Sequence, residues 1–85
     1  MYLHLGQDVL VRKRDVIGIF DIETTTVERS TRDFLARAER ESRVTTLTSE
    51  LPRSFVLTQE QGVLRVYIGQ IATATLRRRM ENDMA

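Results

Sequence analysis

The sequence predicts an α+β fold: a mostly antiparallel sheet of four to five strands with two helices, in the order β-β-β-α-β-β-α. Three observations carry that expectation. Short alternating or continuous apolar stretches recur at 2–5, 9–11, 16–20, 54–58 and 63–67, lengths that suit strands better than helices. Two other stretches place apolar residues three and four apart, the spacing of one helix face. Turn-forming clusters, Gly6-Gln7-Asp8 and Gln59-Glu60-Gln61-Gly62, sit between consecutive strands at hairpin distance.

In the first strand, Leu3 and Leu5 fall on one face and Tyr2 and His4 on the other, because successive side chains alternate. Val9-Leu10-Val11 resumes extended structure until the basic triplet Arg12-Lys13-Arg14 interrupts it. Val16-Ile17-Gly18-Ile19-Phe20 is nearly all apolar, the pattern of a strand buried on both faces. Residues 21–26 are a polar connection. Thr25 with Glu28 three residues later fits a capping box, and Val27, Thr31, Phe34 and Ala38, with Leu35 beside them, predict a helix over 26–42. Its charged face offers Glu28–Arg32, Asp33–Arg37 and Arg37–Glu41, each pair worth about 0.3–0.5 kcal/mol.

The stretch 44–51 is rich in threonine and serine and reads as a loop or weak strand. Pro52 marks an edge or a strand start. The strands over 54–58 and 63–67 then pair through the glutamine-rich turn. Gly69 opens a second helix, with Ile68, Ile71, Ala72, Leu76 and Met80 along one side. Arg77-Arg78-Arg79 in its last turn complement the negative end of the helix dipole or pair with a partner, and 81–85 reads as a frayed terminus.

Eighty-five residues make one small domain, 1–85. A chain of this size buries roughly 64% of its unfolded surface, a thin margin that small domains reinforce with disulfides, metals or self-association. The chain has no cysteine and one histidine, which rules out disulfides, thiolate metal sites and any multi-histidine site within one copy; no cofactor is expected. Self-association remains. Two helices on one sheet face would leave Phe55, Leu57 and the run 16–20 with apolar side chains on the other, an uncovered patch that a second copy would close. A homo-oligomer is therefore expected. No apolar run nears the ~20 residues of a membrane span, and a cytoplasmic location is the default.

Enzyme readings find little support, and no enzymatic activity is expected. His4 is the only ordinary general base near neutral pH and stands in a strand beside an aromatic. Asp15, Asp21, Glu23 and Glu60 have no spacing that fixes two together. Gly6, Gly18, Gly62 and Gly69 are isolated, so no phosphate-cradling loop is present, and no G-x-S-x-G elbow occurs. The cations are more informative. Twelve of the 13 basic residues are arginine, although the net charge is only +1; arginine forks onto phosphate and carboxylate alike. Arg12, Lys13 and Arg14 fall on an exposed turn, where they contact phosphate or merely blunt a sheet edge. Arg53, at the start of a strand, projects from the sheet rim as a further phosphate contact or an ordinary surface arginine. Two contacts per copy bind DNA weakly, whereas roughly six to eight copies would offer about a dozen and a steep salt dependence.

The residues also resemble a known family. Met1-Tyr2-Leu3-His4-Leu5-Gly6, Val11 and the run Arg14-Asp15-Val16-Ile17-Gly18-Ile19-Phe20-Asp21 resemble the extracellular matrix regulatory proteins, specifically the RemB branch of the RemA/RemB family. Pro52-Arg53-Ser54-Phe55-Val56-Leu57-Thr58 is similar to that branch's second strand block, and Thr75-Leu76-Arg77-Arg78-Arg79 to its Thr-Leu-Lys-Lys-Arg ending. The resemblance implies a bacterial, cytoplasmic DNA-binding regulator of biofilm matrix genes, built as a ring-shaped homo-oligomer that bends double-stranded DNA around its outside. It also implies a RemA-type protein as a candidate partner. A key arginine before the third strand matches Arg14, and the arginine immediately before the later strand block matches Arg53. The family's arginine pair falls here on Glu50 and Leu51. The alternative is an oligomeric scaffold or adaptor without nucleic acid, in which the arginines hold copies together.

Overall fold

A computed structural model describes residues 1–82. The described residues form six strands and three helices, and the fold is α+β as the sequence predicts. Strands β1 (Tyr2–Gly6) and β2 (Val9–Arg12) pair antiparallel as a separate two-stranded ribbon. Strands β3 (Val16–Asp21), β4 (Val44–Thr46), β5 (Ser54–Glu60) and β6 (Val63–Gly69) form a second sheet in the order β3-β5-β6-β4. Only β4 runs parallel to its neighbour. Helices α1 (Ile22–Thr25) and α2 (Arg29–Arg40) join β3 to β4, and α3 (Thr73–Glu81) follows β6. A 3-10 turn over Lys13–Asp15 links the ribbon to β3.

The hairpin turns are tight. Gln7 and Asp8 have φ of 48° and 63°, and Gln61 and Gly62 have 52° and 82°. Two consecutive left-handed residues form the turn type whose twist matches that of paired strands. Glycine at 62 takes this conformation without steric cost. The strands extend further than the apolar pattern alone, through Glu60 and Gly69.

Alternation along β5 divides the core in two. Val56, with Ile19 and Tyr67 of the neighbouring strands, faces Leu3, Leu5 and Val11 of the ribbon and Leu76 of α3. Phe55 and Leu57, with Phe20, Val66 and Ile68, face Phe34, Leu35 and Ala38 of α2. The four-stranded sheet is thus a central layer, with α2 on one side and the ribbon plus α3 on the other. This corrects the expectation of both helices on one face. The face that seemed to need a second copy is filled by the chain's own first hairpin, whose Leu3 and Leu5 are buried while Tyr2 and His4 are exposed. The run 16–20 is not buried on both faces either. It forms an edge strand with a bulge between Val16 and Gly18, and Ile17 is 52% exposed. The doubly buried strand is β5, where Ser54, Phe55, Val56 and Thr58 are all buried.

The predicted helix over 26–42 is shorter and capped differently. The Thr25 hydroxyl donates to the Asp21 carbonyl at 2.5 Å, and the Asp21 carboxylate accepts from the Thr24 amide at 3.2 Å. Thr25 therefore belongs to α1. Glu28 occupies the cap position of α2 without a side-chain capping bond, and Val27 is exposed. Arg32 donates to the carbonyls of Thr26 and Val27 at 2.7 and 3.0 Å, which draws it away from Glu28. The four-apart ion pair found on α2 is Arg29–Asp33, exposed at 3.8 Å. Ser42, at φ 59°, lets the Arg43 amide reach back to the Ala38 carbonyl at 2.8 Å, a Schellman ending.

The second helix begins at Thr73 rather than Gly69, because Ile68 and Gly69 stay in β6, where Gly69 accepts from the Arg53 amide at 2.8 Å. Glu81 closes α3. The remainder of the terminus read as frayed, 83–85, lies outside the described residues. None of the described helices is long and apolar enough to cross a membrane.

Candidate functional site

The basic triplet leaves the ribbon where β2 ends. The backbone is tied down there by the Lys13 amide, which donates to the Met1 carbonyl at 3.0 Å. A 3-10 turn eclipses side chains three apart and splays the intervening ones, so the three cations diverge. Arg12 and Arg14 are exposed, whereas Lys13 is half-buried and its ammonium donates to the Asn82 carbonyl at 2.7 Å. Lys13 thereby holds the C-terminal end of α3, a favourable place for a cation.

Two concavities flank this turn and share Tyr2, Arg12 and Arg14. One, of about 700 Å³, is completed by Met1, Lys13 and Met80. The other, of about 630 Å³, reaches across to the β5–β6 hairpin and adds Asp15, Glu60 and Arg65 to its lining. Arg65 is the residue that composition and local clustering do not single out. The hairpin register does: it sets Arg65 opposite Thr58, two residues from Tyr67 and on the same side of the sheet as the ribbon. Three exposed arginines from β2, the 3-10 turn and β6 thus line one shallow depression with two carboxylates.

Glu60 is held within that depression. Its Oε2 accepts from the Thr58 hydroxyl at 2.6 Å and from the Tyr67 hydroxyl at 2.7 Å. Burial, reinforced by the hydrogen bond to Glu60 and by its negative charge, pushes the Tyr67 phenol up from 10.0 to about 12; Arg65 opposes the shift.

Arg53 stands elsewhere. Its amide donates to Gly69 and its carbonyl accepts from Ile22 at 3.0 Å, so its backbone is locked between β6 and α1 while its side chain is exposed. Because β3 and β5 are antiparallel, with Val16 opposite Thr58 and Asp21 opposite Ser54, Arg14 and Arg53 lie at opposite ends of the sheet. At the usual rise per strand residue they are roughly 20 Å apart. One copy brings Arg12, Arg14 and Arg65 together; it does not bring Arg53 to them.

The other cationic run is spent on the fold. Arg77 donates to the Ile19 carbonyl at 3.2 Å, Arg78 to the Thr75 hydroxyl at 3.4 Å, and Arg79 to the His4 carbonyl at 3.0 Å. Arg43 pairs with Glu41 at 2.8 Å and donates to the Leu64 carbonyl at 2.8 Å. Among the described residues, Arg12, Arg14, Arg53 and Arg65 form no ion pair.

Against known proteins, the chain is 31% identical over 81 residues to extracellular matrix regulatory protein B of Bacillus subtilis (strain 168), a match that covers 95% of this chain and 91% of the relative. The chain belongs to the extracellular matrix regulatory protein B family. No family model matches it. With 81 of the 85 residues matched, the 3-10 turn carrying Arg14 and the strand that follows Arg53 both fall within the aligned stretch.

Proposed function

We propose that this chain regulates extracellular-matrix production by binding double-stranded DNA as a homo-oligomer, with Arg14, Arg12 and Arg53 against the phosphate backbone and Lys13 supporting the turn that presents them. One observation carries the reading. Arg12 and Arg14 are exposed, held on a braced turn and unpaired among the described residues, whereas Arg77 and Arg79 of α3 are consumed by backbone carbonyls. Cations kept free of carboxylates remain available to phosphate.

Each copy offers few contacts, so affinity comes from repetition. Contacts at both ends of the sheet let one copy touch the backbone at two separated points. A closed ring would extend that pattern along a curved track, where bent DNA is selected partly by its deformability. The family relative's name, extracellular matrix regulatory protein B, supports the process assigned here. Such a role belongs in the cytoplasm with the chromosome, alone or beside a RemA-type partner, and asks for no cofactor or catalytic step.

A second reading, an oligomeric scaffold without nucleic acid, is favoured by Met1, Tyr2 and Leu10. These lie at 60%, 55% and 57% exposure among the same cations, a mixture that suits a contact between copies. Mobility shifts on duplex DNA at about 50 and about 200 mM salt separate the two. The regulator shifts DNA at the lower salt, loses it at the higher, and is disabled by Arg14→Ala with its particle mass unchanged. The scaffold shifts nothing, and Arg14→Ala alters its mass in light scattering.

A further inference from the structure

The depression around Arg12, Arg14 and Arg65 poses an electrostatic problem. Asp15 and Glu60 line it too, so three guanidinium groups face two carboxylates. Glu60 comes from the last position of β5, and its longer side chain can reach across the depression. A carboxylate free to turn would fork onto a guanidinium group and remove a cation from any incoming phosphate. Glu60 is not free to turn. The Thr58 and Tyr67 hydroxyls, at 2.6 and 2.7 Å, converge on a single oxygen of its carboxylate. Thr58 is fully buried and Tyr67 is half-buried, so both donors are fixed by the packing around them. The hydroxyls of β5 and β6 meet because the register sets Thr58 opposite Arg65 and Val56 opposite Tyr67, which leaves Thr58 and Tyr67 diagonal neighbours on one face.

We infer that Thr58 and Tyr67 are positioning residues for a polyanion site that includes Arg65: by clamping Glu60, they keep the carboxylate off Arg12, Arg14 and Arg65 and leave those cations open to phosphate. The inference deepens the proposed function and rests on its reading of this depression as the anion-binding surface. The raised pKa of Tyr67, from burial and from its hydrogen bond to Glu60, keeps the phenol protonated and donating. Glutamate at 60 would then be tolerated among the arginines only while its two hydroxyl partners remain.

The test compares wild type, Tyr67→Phe, Glu60→Gln and the double variant on two probes, elution salt from immobilised heparin and anisotropy of a labelled DNA duplex. Tyr67→Phe releases the carboxylate and weakens binding about two- to fivefold, the scale of one exposed ion pair. Glu60→Gln strengthens binding by a similar factor. The double variant behaves like Glu60→Gln, because a phenol that restrains no carboxylate has nothing to contribute; a merely structural Tyr67 would leave the double variant weaker than Glu60→Gln by the factor that separates Tyr67→Phe from wild type. Thr58→Val, which removes the other hydroxyl donor and leaves the glutamate at full length, reproduces the weakening without touching Tyr67. Tyr67→Phe and Thr58→Val both binding like wild type, or a double variant weaker than Glu60→Gln by the factor that separates Tyr67→Phe from wild type, overturns the inference. If heparin follows the expected order while wild type ignores the duplex, DNA binding fails and the clamp stands. If the duplex binds and the order is absent on both probes, the clamp fails alone.

Discussion

Arg12-Lys13-Arg14 and Arg77-Arg78-Arg79 are two runs of three cations in one short chain. The first lies between a ribbon and a sheet, on a turn whose Lys13 carbonyl accepts from the Val16 amide, and two of its three side chains reach solvent. The second lies on α3, which packs between the ribbon and β3. There, Arg77 and Arg79 meet carbonyls of β3 and β1 that no strand pairs. The charge is the same and the outcome differs. A guanidinium beside an unpaired backbone acceptor satisfies it; one beside solvent stays available. Lys13 sharpens the contrast: it stands between the two exposed arginines, yet it performs the helix-end duty that the sequence assigns to the arginine run on α3.

The contrast can be broken most severely through Leu76, which is buried at 2% exposure and anchors α3 under the ribbon. Leu76→Ala is expected to cost about 2–5 kcal/mol, read as a fall in the urea midpoint. If stability is retained, Leu76 does not anchor α3 there. A subtler break exchanges the two runs. Arg79→Ala removes the bond to His4 and lowers the melting temperature by roughly 3–8 °C with little change in heparin elution, whereas Arg12→Ala does the reverse. Circular dichroism melts and a salt gradient decide it, and equal effects of the two variants on both readouts would erase the distinction.

The smallest effect concerns pH. The folded-state pKa of Tyr67, about 12, lies above its unfolded value of 10.0, so the native state holds its proton where the unfolded chain has lost it. The stability this contributes is complete below pH 10 and is lost as pH rises toward 12. Urea midpoints between pH 9 and 11 should fall more steeply for wild type than for Tyr67→Phe; parallel slopes would show that the phenol and Glu60 are not coupled.

Much of the fold is legible in the sequence because strand alternation is local. Leu3 and Leu5 inward with Tyr2 and His4 outward follows from side-chain geometry alone, as does the pairing of β5 with β6 through Gln61-Gly62. Helix boundaries are less legible where side chains have competing uses: Thr25 serves Asp21 instead of α2, and Arg32 serves the end of α1 instead of Glu28. The site divides along the same line. Arg12 and Arg14 are visible as a cluster, but Arg65 stands alone in the sequence and joins them only through the sheet register.

The sequence by itself determined the α+β class, the hairpins and the family, because these depend on periodicity, turn chemistry and residue-by-residue similarity, which are properties of a string. Only the tertiary structure decided which sheet face each helix covers, which edge stays open and which arginines remain free. Those outcomes depend on what lies across a gap of a few ångströms from residues far apart in the chain, and a carbonyl, a carboxylate or water at that spot gives the same guanidinium three different roles.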